Sequence, residues 1–234
     1  MSHIVVTEKT KKEDNLLYIQ NSLGEIVSQI SARVNLTRAG ARSVLEINLD
    51  DAYDELVRGE VAEKIAEIIA INYKYDYFND TVKICGLSEL EYEILLTSLI
   101  AADLEEDRRY CFEKACSDKE IAVDGLYNFR LNALRKKWED VVGYIPVSFV
   151  NSQLKDFISY LLENKKRRVY VDGGKVYDSH FRRLKRTNLL RDKKGAKILK
   201  EVLLSNCGEV ELSGSLPKED EFYLKEFYAD KIIF

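Results

Sequence analysis

The sequence predicts an α+β (mixed α/β) protein, and three observations lead there. Short runs of β-formers stand near both ends, at HIVVT, VNLTRAGARSVLEINL, VYVDGGKVY and GEVELS. Between them, apolar residues recur at three- and four-residue spacing, the mark of amphipathic helices. The middle of the chain is helical, with the strand-bearing portions on either side of it.

The first strand is expected at HIVVT, residues 3–7. Leu16, Ile19, Leu23, Ile26, Val27 and Ile30 then keep helical spacing, so an amphipathic helix follows. Val34 and Leu36, then Val44, Leu45 and Ile47, flank an Ala-Gly-Ala break and predict a hairpin or two neighbouring strands. A helix over 51–74 opens on acids that suit its positive end and directs Leu56, Val61, Ile65, Ile68, Ile69 and Tyr73 to the core. In YDYFNDTVKICG the alternating aromatics favour a strand over 81–85, against the turn signal of Asn79 and Asp80.

Ser88 and Glu91 stand at capping-box spacing and open one long helix over 89–116. Leu126, Phe129, Ala133, Leu134, Trp138, Val141 and Val142 mark the next helix, which Gly143 and Pro146 end. Leu154, Phe157, Ile158, Leu161 and Leu162 mark another, with Lys and Arg at its carboxyl end. Asp172-Gly173-Gly174 between β-formers signals a hairpin. The tail reads helix (198–204), strand (209–212), helix (217–228, with Pro217 as first residue) and strand (231–234), an order that favours a small parallel layer. Three portions result: an N-terminal α/β portion (1–86), a central helical portion (87–166), and a basic hairpin with a C-terminal α/β layer (167–234).

Composition places the chain among folded globular proteins, with 234 residues, 46% hydrophobic and 32% charged. Cys85, Cys111, Cys116 and Cys207 form no CxxC pair and read as reduced structural thiols. The opening residues lack the apolar core of a signal peptide, and no apolar run approaches the ~20 residues of a membrane span, so a cytoplasmic protein is expected. His3 and His180 are the only histidines, which leaves little for metal or acid-base chemistry. VDGGKVYDSHF lacks phosphate-loop spacing, no GxSxG elbow occurs, and the acids Asp103, Glu105, Glu106 and Asp107 read as a solvated helix face. No cofactor is expected, and a conventional enzyme is the less favoured class.

The net charge of −4 conceals a basic segment over 165–200, with fourteen Lys/Arg and only Asp172, Asp178 and Asp192 against them. Arg182, Arg183, Lys185 and Arg186, interleaved with Phe181, Leu184 and Leu189, are the candidate contacts for an anion or nucleic acid. The plainer reading is favoured: a helix end followed by a solvated connector facing acidic helices, with no nucleic-acid motif around it.

IAVDGLYNFRL, residues 121–131, is open to two readings. Asp124-Gly125 could turn a hairpin; alternatively Asp124 caps a helix whose buried stripe begins with Leu126 and Phe129. The helix reading explains more residues, and it leaves Arg130 to pair with an acid or pack its stem.

VDGLYNFRLNALRKKWEDVV resembles the signature of the YtxC-like sporulation proteins, through Asp124, Gly125, Phe129, Arg130 and Leu131. Leu126 departs from it, standing where many members have an aromatic. The tail ILKEVLLSNCGEVELSGSLPKEDEFYLKEFYADKIIF is similar to that family's closing βα unit. The resemblance implies a cytoplasmic, sporulation-associated protein of endospore-forming bacteria, and no reaction or catalytic residue can be carried over from it. The leading expectation is a non-enzymatic interaction or regulatory protein with a protein partner. A nucleic-acid-associated protein using residues 165–200, or an enzyme with a pocket near Asp124 and Arg130, are the alternatives. A homo-oligomer is left open.

Overall fold

The computed structural model describes residues 1–116, 118, 120–191 and 195–233. In chain order the first elements are β1 (Ser2–Lys9), α1 (Glu13–Gln29), β2 (Arg33–Ala39), β3 (Arg42–Leu49), α2 (Asp54–Glu67), a π-helical turn (Ile68–Tyr73), α3 (Lys74–Thr81), α4 (Glu89–Ala102) and α5 (Leu104–Ala115). Next come β4 (Glu120–Ala122), the single turn α6 (Val123–Gly125), a second π-helical turn (Leu126–Arg130), α7 (Asn132–Gly143) and α8 (Asn151–Leu162). The last are β5 (Arg168–Asp172), β6 (Lys175–Tyr177), α9 (Lys197–Leu204), β7 (Glu209–Ser213), α10 (Lys218–Tyr228) and β8 (Ile232–Ile233). The fold is α+β, with the strands in two four-stranded mixed sheets. No helix among the described residues is long and apolar enough to cross a membrane.

The chain forms two compact units from interleaved segments: Met1–Tyr73 with Glu105–Asp140, and Lys74–Leu104 with Val141–Phe234. The sequence suggests consecutive portions instead, because nothing local announces that β4 pairs with β1.

The first unit holds the sheet β2-β3-β1-β4, in which β1 is antiparallel to β3 and parallel to β4. Alternation buries Ile4 and Val6 of β1 opposite Ile47 and Leu45 of β3. Helix α1 packs on these strands through its buried Leu16, Ile19 and Leu23, and α2 packs on α1. Each aliphatic side chain so covered contributes roughly 2 kcal/mol. Leu56, expected in the core, is 54% exposed, and the fully buried Val57 takes its place. A 3-10 turn at Asp51–Tyr53 delays the α-helix to Asp54 and changes its phase. All six residues of Ile68–Tyr73 are buried, and the wide turn there advances the buried stripe by about one residue, or about 100°.

The second unit packs α3, α8 and α9 around α4, whose residues 93–101 are all buried. Ser88 and Glu91 cap α4 reciprocally: Glu91 N donates to Ser88 Oγ at 3.3 Å and Ser88 N to Glu91 Oε2 at 2.8 Å. Two expectations fail in this unit. The strand over 81–85 is not formed, since α3 continues to Thr81 and Cys85 makes an isolated bridge to Ser148. Tyr75 and Phe78 are both buried at a three-residue step, so the aromatics that mimic a strand satisfy a helix. Nor does one helix cover 89–116, because α4 ends at Asp103. The Asp103 carboxylate there pairs with the fully buried Lys74, and a buried cation requires such a partner.

The second sheet runs β6-β5-β7-β8, with β5, β7 and β8 parallel and β6 antiparallel to β5. Gly173 at φ +52° and Gly174 at φ +75° form the two-residue turn that pairs Asp172 with Lys175. Helix α10 begins at Lys218 with Pro217 as its extended cap residue, one position later than expected. The closing strand β8 is Ile232–Ile233, and the expected Phe234 lies outside the described residues.

Candidate functional site

Two groups of residues merit chemical scrutiny, one in each unit. The first surrounds the 121–131 stretch. Ile121 lies in β4, paired with Val6 of β1, so the stretch enters from a strand and turns at once into helix. Asp124 sits within the first turn and does not cap it; the residue before that turn is Ala122, whose side chain offers no acceptor. The Asp124 carboxylate instead faces the end of β1 and the start of β3: Arg42 Nη2 donates to Oδ1 at 2.6 Å, and Lys9 Nζ stands 3.9 Å from Oδ2. Burial raises this carboxyl, but the Arg42 hydrogen bond, the charges of Arg42 and Lys9 and the Gly125 amide outweigh it and hold it below its ordinary value. Gly125 is ordinary helix at φ −67°, and it serves close approach, since a Cβ there would lie 3.2 Å from that of Ala122.

The π-helical turn Leu126–Arg130 decides the rest of the signature. Its extra residue turns Phe129 outward, 80% exposed, where a regular helix stripe would bury it. Leu126 and Leu131 take the core positions instead. Tyr127 turns inward against Tyr73 and Trp138, with ring centroids 4.7 Å and 5.9 Å away. Arg130 pairs with Asp118 where both side chains are partly exposed. Asp124 and Arg130 therefore engage different partners and do not converge.

The expectation that 103–107 is a solvated acidic face also needs correction, since Asp107 is buried. Its Oδ2 accepts from Trp138 Nε1 and its Oδ1 from Lys137 Nζ, each at 2.9 Å. Among the described residues no three His, Cys, Asp or Glu side chains converge as a metal site. All four cysteines are free; Cys111 and Cys207 are buried, and burial pushes the Cys207 thiol up.

The second group lies on the β5-β6 hairpin and the loop beyond it. Val169, Val171 and Val176 face inward, which leaves Arg168, Tyr170, Asp172, Lys175 and Tyr177 on the outer side. Tyr170 is paired with Tyr177 across the hairpin, and Tyr177 is bridged to Arg183. Phe181 is 70% exposed and stacks on Tyr170, with ring centroids 4.7 Å and planes 23° apart.

A closed turn presents that ring. Phe181 N donates to Asp178 O at 2.9 Å, and Asp178 N donates to Arg182 O at 3.0 Å. Asp178 Oδ1 accepts from the amides of His180 and Arg182, each at 2.9 Å. Burial raises the Asp178 carboxyl, but those amides and the Arg182 side chain outweigh it and hold it below its ordinary value. The turn keeps Phe181 at φ +57°, a left-handed conformation that costs a residue with a Cβ roughly 1–2 kcal/mol. Such strain persists where surrounding bonds fix it, and it clusters at functional positions.

The four candidate cations divide. Arg182 Nε donates to Asp178 Oδ2 at 3.0 Å, at 76% side-chain exposure. Arg183 and Lys185 are exposed, and no acid among the described residues pairs with either. Arg186 turns inward, its Nη1 donating to Leu204 O at 2.8 Å while its backbone amide donates to Glu201 Oε1 at 2.7 Å. Lys175, Arg183, Lys185 and Lys197 line a cavity of about 500 Å³ in this unit. The acids of that cavity are occupied: Glu201 also accepts from Thr187, and Asp220 accepts from the amides of Ile198 and Leu199 at the start of α9. Lys193 and Lys194 of the basic segment lie outside the described residues.

Sequence reading missed Tyr170 as a partner of Phe181, although a two-residue turn at Gly173-Gly174 fixes the pairing of Tyr170 with Tyr177. It also missed Arg42, for which no local signal exists. No family model, curated protein or solved structure matches the chain.

Proposed function

We propose that the chain is a non-enzymatic binding protein, associated with sporulation as its 124–131 signature suggests, and that its working surface is the aromatic and cationic face of the β5-β6 hairpin. The observation that carries this reading is Phe181: exposed, stacked on Tyr170, and held at a left-handed φ by the turn closed on Asp178. Exposed Arg182 next to it in the chain, with Arg183 and Lys185 further along the same loop, favours an anionic partner. An enzymatic role near Asp124 and Arg130 has less support, because each is engaged in a separate ion pair.

The test is retention on heparin in a salt gradient. The folded R182E/R183E/K185E variant elutes at clearly lower salt than the parent protein, and unchanged elution would count against this surface. The sporulation part is tested by deletion in the native host, where unchanged heat-resistant spore counts would remove it.

A further inference from the structure

We infer that the anionic partner of this face is single-stranded nucleic acid, with a base stacked on the open side of Phe181 and neighbouring phosphates on Arg182, Arg183 and Lys185. The inference rests on the reading of that face as the working surface and names its ligand class. One side of the Phe181 ring is covered by Tyr170, which fixes its orientation, while its 70% exposure leaves the other side open. A flat aromatic surface takes an unstacked base and is useless to a base held inside a duplex. Tyr177, next to Tyr170 in the sheet and bridged to Arg183, extends the aromatic surface toward the cations.

Charge supports a backbone that threads between specific cations. Lys175 stands opposite Asp172 in the hairpin register, the Asp178 carboxylate is taken up by two amides and Arg182, and Arg183 and Lys185 lie exposed further along the loop. On the β7 side, Glu209 and Glu211 are both paired with Arg168. This alternation suits spaced phosphates better than a lipid surface, whose recognition relies on a dense cluster of cations. The backbone strain points the same way. A left-handed φ that glycine would adopt freely is occupied by a large aromatic ring that makes its contact on the surface.

The experiment is fluorescence anisotropy with a labelled oligothymidylate 15-mer and its RNA counterpart, a duplex of matched length, and anionic phosphatidylglycerol vesicles. The parent protein binds the single strands more tightly than the duplex or the vesicles. F181A weakens single-strand binding on the order of ten-fold, F181W restores it, and heparin retention is unchanged in both. F181G separates fold from function: glycine accepts the left-handed φ, so the turn survives while binding falls as in F181A. R182E/R183E/K185E lowers the salt dependence of binding by about two in log–log slope.

Equal binding of single strand by F181A and the parent overturns the inference, as does a preference for duplex or vesicles. In those cases a heparin response to the charge reversal leaves the working-surface reading standing. If neither heparin nor any oligonucleotide is held, both fall together.

Discussion

Arg42 and Asp124 are 82 residues apart in sequence, and their side chains meet at 2.6 Å. The pair ties the start of β3 to the first helical turn after β4, and Asp124 brings to it a carboxylate whose side chain is only 10% exposed. The acid of the 121–131 stretch thus acts as a long-range tie within the first unit.

Asp124→Ala and Arg42→Ala are each expected to destabilise the protein, by roughly 1–3 kcal/mol, with the half-exposed arginine keeping the figure below that of a fully buried pair. The double variant loses less than the sum, because neither partner is left unpaired. Urea denaturation of the four proteins measures the coupling, and strict additivity would show that the pair does not act as a tie.

Glu13 accepts from Arg38 and from Ser43, and these bonds bring its carboxyl down from an ordinary value of 4.5 to about 2. A folded-state value below the unfolded one gives a contribution that is complete above about pH 4.5 and fades as pH falls toward 2. Glu13→Gln should therefore flatten the fall of the urea midpoint between pH 4.5 and 2. An identical pH profile in the variant would refute the assignment.

Asp107 holds Trp138 Nε1 and Lys137 Nζ from a fully buried side chain. Asp107→Ala leaves the indole donor unsatisfied in the core and should cost about 2–4 kcal/mol. Trp138 is the single tryptophan, so its fluorescence reports the site directly. A variant with parental stability and an unchanged emission maximum would contradict this account.

The legible parts of the fold are those set by short-range chemistry. The β-formers of HIVVT and the period-two runs Val34/Leu36 and Val44/Leu45/Ile47 mark β1, β2 and β3, Ser88 and Glu91 mark the start of α4, and Gly173-Gly174 marks the hairpin, whereas the pairing of β1 with β3 and β4 is not local. What escaped has a common cause, a shift of helical phase or a partner distant in sequence. One extra residue in the Leu126–Arg130 turn exposes Phe129 and sets Tyr127 against Tyr73 and Trp138, and periodicity counted at 3.6 residues cannot register such an insertion. Asp103 breaks a run of good helix formers to meet Lys74, and Asp107 is buried by a tryptophan 31 residues away. For the candidate site, the cations and Phe181 were visible in the sequence. The platform under Phe181 required the hairpin register, and the inward turn of Arg186 required the carbonyl of Leu204.

The interleaving of the two units has a consequence for biosynthesis. The strand that flanks β1 on its parallel side is Glu120–Ala122, so a ribosome has to release more than a hundred further residues after β1 before that edge is occupied. At ordinary elongation rates the delay is about ten seconds, far longer than a hairpin needs to form. During that interval β1, β2 and β3 present an open edge, and residues 74–104, which belong to the other unit, emerge while it is still uncovered. The growing chain is thus most vulnerable to misassociation before its 121–131 stretch appears, and the tie between Arg42 and Asp124 closes that window.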